Sequence, residues 1–178
     1  EEFNARDFGR PGRDDLSGML PPKLAMIMIN LAQAKKDHVI LDPFCGSGTI
    51  ISEAILLEYA NLIGSDISAK AVEDTKTNIE WINENFNLNG SANIFLCGVE
   101  NIAEKFKAGS IDRIITEPYL GKPLKGKETK DDLLRQCDIL TQLYIEALNN
   151  FHKILKQGGR IVMIAPRFKF QNEWITIP

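Results

Sequence analysis

The chain lacks most of what would mark a metal protein, a disulfide scaffold or a membrane protein. Its three cysteines, Cys45, Cys97 and Cys137, lie far apart with no C-x-x-C pair, which disfavours a zinc site, and their odd number does not suit a disulfide framework. The two histidines, His38 and His152, have no metal-ligand spacing and read as surface residues at element ends. These features suggest a reducing, intracellular and cytoplasmic setting. No apolar run reaches the length of a membrane span, and no charged-then-apolar segment opens the sequence. An excess of positive charge is missing as well. The net charge is −3 and the pI about 5.5, so any contact with nucleic acid must be local or supplied by another domain. Asn89-Gly90-Ser91 matches a glycosylation acceptor but, without a leader, reads as an ordinary turn. The first residue is Glu1, not methionine, so the expectation is a piece of a longer protein.

What is present is enough for one core: 178 residues, 44% of them hydrophobic, suit a single domain. From Val39 to Pro166, short β-branched runs alternate with helical patterns, as a parallel α/β sheet requires. Strands are expected at Val39–Asp42, Leu62–Asp66, Ala92–Cys97, Asp112–Thr116 and Arg160–Ala165. Between them, Val72, Thr75, Ile79, Ile82 and Phe86 form one apolar stripe at helical period. Leu133, Cys137, Leu140, Tyr144, Leu148, Phe151 and Leu155 form another, and both read as core. Gly158-Gly159 is placed at the end of the long helix. Pro21-Pro22 opens a helix over "KLAMIMINLA". The segment "ARDFGRPGRDDLSG", Ala5 to Gly18, has no period and reads as a loop, which makes residues 1–20 an N-terminal loop and 21–178 the α/β domain.

The run "VILDPFCGSGTIISEA", Val39 to Ala54, is a strand, a turn with Gly46 and Gly48, and then a helix: the first βαβ unit of a nucleotide-binding sheet. Two further absences choose its ligand. The dinucleotide fingerprint needs a third small residue where this chain has Ile51, and a P-loop needs Gly-Lys-Ser/Thr where it has Gly48-Thr49-Ile50. Asp42, ahead of the turn, would repel a pyrophosphate and attract a cation. S-adenosylmethionine (SAM) carries a sulfonium and an ammonium and no phosphate. Asp66 closes the second strand, where a carboxylate can accept from ribose hydroxyls, and Ile67 could cover an adenine face. Asp42, Gly46 and Gly48 are therefore the candidates for the methionine end of SAM and Asp66 for its ribose, with Phe44, Thr49 and Ile67 as further cofactor-binding candidates.

"DRIITEPYLGK", Asp112 to Lys122, places Glu117, Pro118 and Tyr119 at the tip of the fourth strand, beside the first in such sheets. Methyl transfer to an exocyclic base amine needs the nitrogen lone pair freed from the ring, the amine held in line with the methyl, and its proton removed. Hydrogen-bond acceptors and a flat apolar surface supply this, mainly by positioning.

With these residues in view, "DPFCGSGTI" and "TEPYLG" resemble the amino-methyltransferases of nucleic-acid bases, whose strand-tip motif is Asp/Asn-Pro-Pro-Tyr/Phe. "RDFGRPGRD" followed by "GMLPPKLAMIMINLA" resembles, more narrowly, the THUMP-associated tRNA guanosine N2-methyltransferases. The resemblance runs from Ala5 to about Pro166 with the motifs in the family's order. It implies a class I SAM-dependent methyltransferase (Rossmann-like) sheet with helices on both faces, here ending before the usual C-terminal antiparallel hairpin. It also implies an RNA-binding THUMP domain ahead of Glu1 and a tRNA substrate.

Two departures stand out. The family's Thr-Asp-Pro-Pro-Tyr-Gly becomes Thr116-Glu117-Pro118-Tyr119-Leu120-Gly121. The favoured register puts Glu117 at the motif acid, the Pro118 carbonyl as second acceptor and Tyr119 as the stacking surface. The rival register puts Thr116 at the acid. After the third strand, where the family commonly has an acid for the adenine amine, this chain has Gly98-Val99, with Glu100 one place further on.

Lys122, Lys125, Lys127 and Lys130 crowd the loop after the strand tip, and Arg6, Arg10 and Arg13 the N-terminal segment. Both groups are candidates for tRNA phosphates around an extruded nucleotide, against the alternative of solvated loop charge. The leading expectation is methyl transfer from SAM to a guanosine amine in tRNA, without a metal. Its rivals are an amino-methyltransferase acting on adenine or cytosine of DNA or ribosomal RNA, and a SAM-fold module that binds RNA but has lost catalysis.

Overall fold

The computed structural model describes residues 2–13 and 19–178. Its centre is a five-stranded parallel sheet of β1 (Val39–Asp42), β2 (Asn61–Asp66), β3 (Asn93–Leu96), β4 (Ile111–Thr116) and β5 (Leu155–Met163), in the order β3-β2-β1-β4-β5. β1 is therefore central, with Leu41 paired to Ile63 on one side and to Ile114 on the other. Successive residues of a strand face opposite sides, and both sides of this sheet are apolar, as covered parallel sheets require.

Ile40 and Ile115 turn to one face. There they pack with α2 (Pro22–Ala32), α3 (Thr49–Leu56) and α4 (Ala69–Phe86) through Ile29, Ile51 and Ile82, all of them fully buried. Leu41 and Ile114 turn to the other face, against Ile102 of the 3₁₀ helix Val99–Lys105 and against Ala147, Phe151 and Ile154 of α5 (Lys130–Ile154). The α5 stripe is core at Leu133, Cys137, Leu140, Tyr144 and Phe151, but Leu148 is exposed and Leu155 already belongs to β5. The start of α5 is fixed by Thr129, whose hydroxyl accepts from the Asp132 N–H while the Asp132 carboxylate accepts from the Thr129 N–H, a reciprocal capping box.

Three expectations change. The Ala5–Gly18 segment is not all loop, because Glu2–Phe8 forms a short helix, α1; residues 14–18 lie outside the described residues. What holds α1 is tertiary: Arg6, 5% exposed, pairs with the buried Glu53 of α3 at 2.7 Å. Gly158-Gly159 does not end the long helix. The helix passes directly into β5 at Leu155, and Gly158, at φ +77, sits in a register irregularity between the pairs Ile111–Leu155 and Arg113–Arg160. Last, the sheet does stop at β5, yet β6 (Arg167–Phe170) and β7 (Glu173–Thr176) make a separate antiparallel hairpin. Phe168 and Ile175 of this hairpin bury against Leu133, Cys137 and Tyr144 of α5. Asn89-Gly90-Ser91 is irregular backbone between α4 and β3, held by the Asn83 side chain, which donates to the Gly90 carbonyl and accepts from its N–H.

Candidate active site

The chain leaves β1 toward α3 and β4 toward α5, on opposite faces of the sheet. This opens a crevice beyond the carboxyl ends of the two strands, where doubly wound sheets bind ligands. A cavity of about 820 Å³ lies there. Of the cofactor and acceptor residues expected from the sequence, all but Gly48 line it.

Asp42 ends β1 and is 1% exposed. Its Oδ1 accepts from the Phe44 N–H at 3.2 Å and from the Thr116 hydroxyl at 2.7 Å. Burial pushes the carboxyl up to about 7, against those two hydrogen bonds, and the charges of Asp66 and Glu117 push the same way. A carboxylate held in this state favours a cationic ligand, which would supply the charge that the protein withholds.

The turn after Asp42 is built around its glycines. Gly46, at φ +53, has no atom within 4 Å of a would-be Cβ, and its N–H donates to Asp66 at 3.0 Å. Gly48, at φ +80, faces inward, where a Cβ would lie 2.7 Å from the Thr75 methyl. Its role is to let α3 approach α4, and it does not line the cavity. Thr49 opens α3, whose N-cap, Gly48, has no side chain to cap the first turn. Burial raises the Cys45 thiol, consistent with a packing role.

The end of the cavity beyond β2 is more open. Asp66 accepts from the Gly46 and Ser68 N–H groups, one on each oxygen, and Ile67 is 74% exposed over the same space. Opposite lie Gly98, Val99 and Glu100. A Cβ at Gly98 would strike the Glu100 carboxylate at 2.3 Å, so the glycine is what lets that acid fold back against the cavity wall. Asn150 of α5 fixes this turn by donating to the carbonyls of Val99 and Glu100.

At the tip of β4, Thr116 is fully buried and its hydroxyl is engaged by Asp42, whereas Glu117, half-buried, faces the cavity. Burial raises the Glu117 carboxyl. Tyr119 is 48% exposed, and its carbonyl accepts from the Tyr144 hydroxyl at 2.8 Å. Tyr144 reads in the sequence as simple core; nothing in the helical stripe signals that its hydroxyl anchors the strand tip. The α4 residues Lys70, Ala71 and Asp74 also line the cavity and are missed by the sequence, because only the fold of α4 beside the glycine turn brings them there. Among the described residues, no group of His, Cys, Asp or Glu is placed to hold a metal ion, and no helix is long and apolar enough to cross a membrane.

The basic residues divide. Lys122, Lys125 and Lys127 are exposed on the loop after β4, and Lys130 pairs with Glu173 at 2.5 Å. Arg13 is exposed, with its guanidinium over Phe8. Arg6 and Arg10 are not surface charges and cannot reach RNA phosphates in this fold. Arg6 is buried on Glu53, and Arg10, 2% exposed, donates to the Thr49 hydroxyl at 2.6 Å.

The strand order and the cavity at the β1/β4 junction define the class I SAM-dependent methyltransferase fold. TrmN from Thermus thermophilus has the same fold, with a TM-score of 0.64 and 25% identity over 83% of this chain and 39% of that one. Residues 10–175 match the RMKL-like methyltransferase domain family, and the chain belongs to that family. Relatives include the tRNA (guanine(10)-N2)-dimethyltransferase of Methanothermobacter thermautotrophicus, 34% identical over 94% of this chain and 44% of its own length. Another is the tRNA (guanine(10)-N(2))-methyltransferase TRMT11 of Dictyostelium discoideum, 33% identical over 83% of this chain and 32% of its own. The chain thus spans less than half the length of either relative.

Proposed function

We propose that this domain transfers a methyl group from SAM to the exocyclic amine of a guanosine in tRNA, forming N2-methylguanosine. The observation that carries the reading is that two acids from different strands, Asp42 and Glu117, open on one cavity whose far side carries Asp66 and Ile67. The buried Asp42 suits the cationic end of SAM, and the Asp66 oxygens, each with one N–H already, keep lone pairs for ribose hydroxyls. Bound there, SAM supplies a methyl on an already activated sulfonium.

The protein's part is then to hold and polarise the amine. Glu117 accepts one N–H of the guanine amine and the Pro118 carbonyl the other, which draws the lone pair out of the ring and aims it at the methyl. Tyr119 borders the base, held by Tyr144 through its backbone carbonyl. Glu117 is the acceptor for the proton lost after transfer. The lysines Lys122, Lys125 and Lys127, exposed on the loop that follows the strand tip, would meet tRNA phosphates. The names of the relatives, both guanine N2-methyltransferases of tRNA, support guanosine over adenine or cytosine. Transfer of tritiated methyl from SAM into bulk tRNA, followed by nucleoside analysis, tests the reading. Label in N2-methylguanosine supports it, and label in methyladenosine or methylcytidine, or no binding of SAM in calorimetry, overturns it.

A further inference from the structure

The fate of Arg10 needs a physical reason. It is a cation at 2% exposure, and only its Nη1 has a partner, the Thr49 hydroxyl; Nε and Nη2 are buried with none. Glu53 is the buried acid nearby, but its Oε1 is taken by Arg6 and its Oε2 accepts from nothing. Asp7 and Glu53 act on Arg10 through charge alone. Burying a guanidinium this way is costly unless its field is used.

The guanidinium reaches the cavity wall through Thr49. Thr49 is the first residue of α3, lies on the cavity wall, and accepts from Arg10, so its own proton must point away from the guanidinium. That proton joins the N–H groups of an α3 first turn that no side chain caps. The result is a donor set with a fixed positive charge behind it, at the opposite end of the glycine turn from Asp42. Asp42 suits an ammonium; the Thr49 end suits a carboxylate. The two together match an α-amino acid zwitterion.

We infer that Arg10, acting through Thr49, is a positioning residue for the carboxylate at the methionine end of SAM. This rests on the SAM reading above. The N-terminal strap is thereby part of the cofactor site, held in place by the Asn78 side chain. Asn78 accepts from the Gly12 N–H and donates to the carbonyls of both Gly12 and Ser47, which ties the strap to the glycine turn itself.

The test compares two ligands by calorimetry on the whole chain: S-adenosylhomocysteine, which keeps the amino-carboxylate, and 5′-methylthioadenosine, which lacks it. Arg10→Gln is expected to weaken S-adenosylhomocysteine by about 10- to 100-fold, the range for a lost charge-assisted contact, while 5′-methylthioadenosine stays within about twofold. Thr49→Val, which keeps the three Asn78 bonds to the strap and the glycine turn, should show the same split, Thr49→Ser should restore wild-type binding, and the Arg10→Gln/Thr49→Val pair should be no worse than either alone. Equal losses for both ligands, or no loss for S-adenosylhomocysteine in Thr49→Val, would overturn the inference. Failure of the wild-type chain to bind either ligand would instead remove the SAM reading on which it stands.

Discussion

The hydroxyl of Thr116 donates to Oδ1 of Asp42 at 2.7 Å, joining the tips of β4 and β1 across 74 positions of sequence. The tips of the two strands are thus mechanically one unit. The bond engages Thr116 and leaves Glu117 as the strand-tip acid that faces the cavity, which favours the register with Glu117 at the motif acid.

Replacing Glu117 by alanine should therefore reduce kcat for tRNA methylation by at least about 100-fold, the usual contribution of a proton-accepting group. S-adenosylhomocysteine should still bind within about twofold of wild type, since Glu117 lies on the acceptor side. Single-turnover rates alongside calorimetry separate the two effects; wild-type rates in Glu117→Ala would restore the alternative register.

Asp42 should make both stability and binding depend on pH. Its carboxyl is raised from 3.8 to about 7 in the fold, so the folded chain holds a proton that the unfolded chain releases. Its contribution to stability is fully present below about pH 4 and is lost as pH rises through about 7. In Asp42→Asn, melts between about pH 4 and 8 should lack that decline relative to wild type. A cationic ligand favours the ionised form, so SAM affinity should rise by up to about tenfold per pH unit and level off above pH 7. A pH-independent affinity would show that Asp42 does not face the cation.

The two turn glycines should separate stability from binding. At Gly48 an alanine methyl meets Thr75 at 2.7 Å, on top of the left-handed backbone, whereas at Gly46 it meets nothing within 4 Å. Gly46→Ala should lose about 1–2 kcal/mol from backbone strain alone, and Gly48→Ala about 1–3 kcal/mol more from overpacking. Binding should reverse the order, because the Gly46 methyl projects into the cavity that Gly46 lines. Urea melts and S-adenosylhomocysteine titrations of both variants would show whether the order crosses.

The Arg6–Glu53 pair should behave as a buried ion pair, with side chains 6% and 1% exposed. Glu53→Ala strands the Arg6 guanidinium without its carboxylate and should cost about 3–5 kcal/mol in urea unfolding. A loss below about 1 kcal/mol would place α1 as loosely attached.

Much of this site was legible in one dimension because its chemistry is local. Asp42, the glycine turn and Thr49 are consecutive, and the alternation of strand and helix is enough to carry Asp66, Val99 and Glu117 to the same end of a parallel sheet. What pattern could not reach were pairings that depend on which faces meet: Tyr144 on the Tyr119 carbonyl, Asn150 under Val99, Lys70 and Asp74 at the rim. Helical period marks Tyr144 as buried but is silent on its hydroxyl. The Gly158-Gly159 break was misplaced for a related reason, since two glycines suit a strand irregularity as well as a helix end, and only pairing with β4 selects between them.

The arginines show the division most clearly. The residues alone determined a parallel α/β sheet, a turn that rejects pyrophosphate and an acid that prefers a cation, because backbone freedom at glycine and charge at Asp42 are properties of the residues themselves. Whether Arg10 meets RNA or the cofactor's neighbourhood depends on where a strap of some ten residues lies. That is set by burial against Glu53, Thr49 and Asn78, partners 39 to 66 positions away, whose hydrogen bonds exist only once α3 and α4 have packed on the sheet.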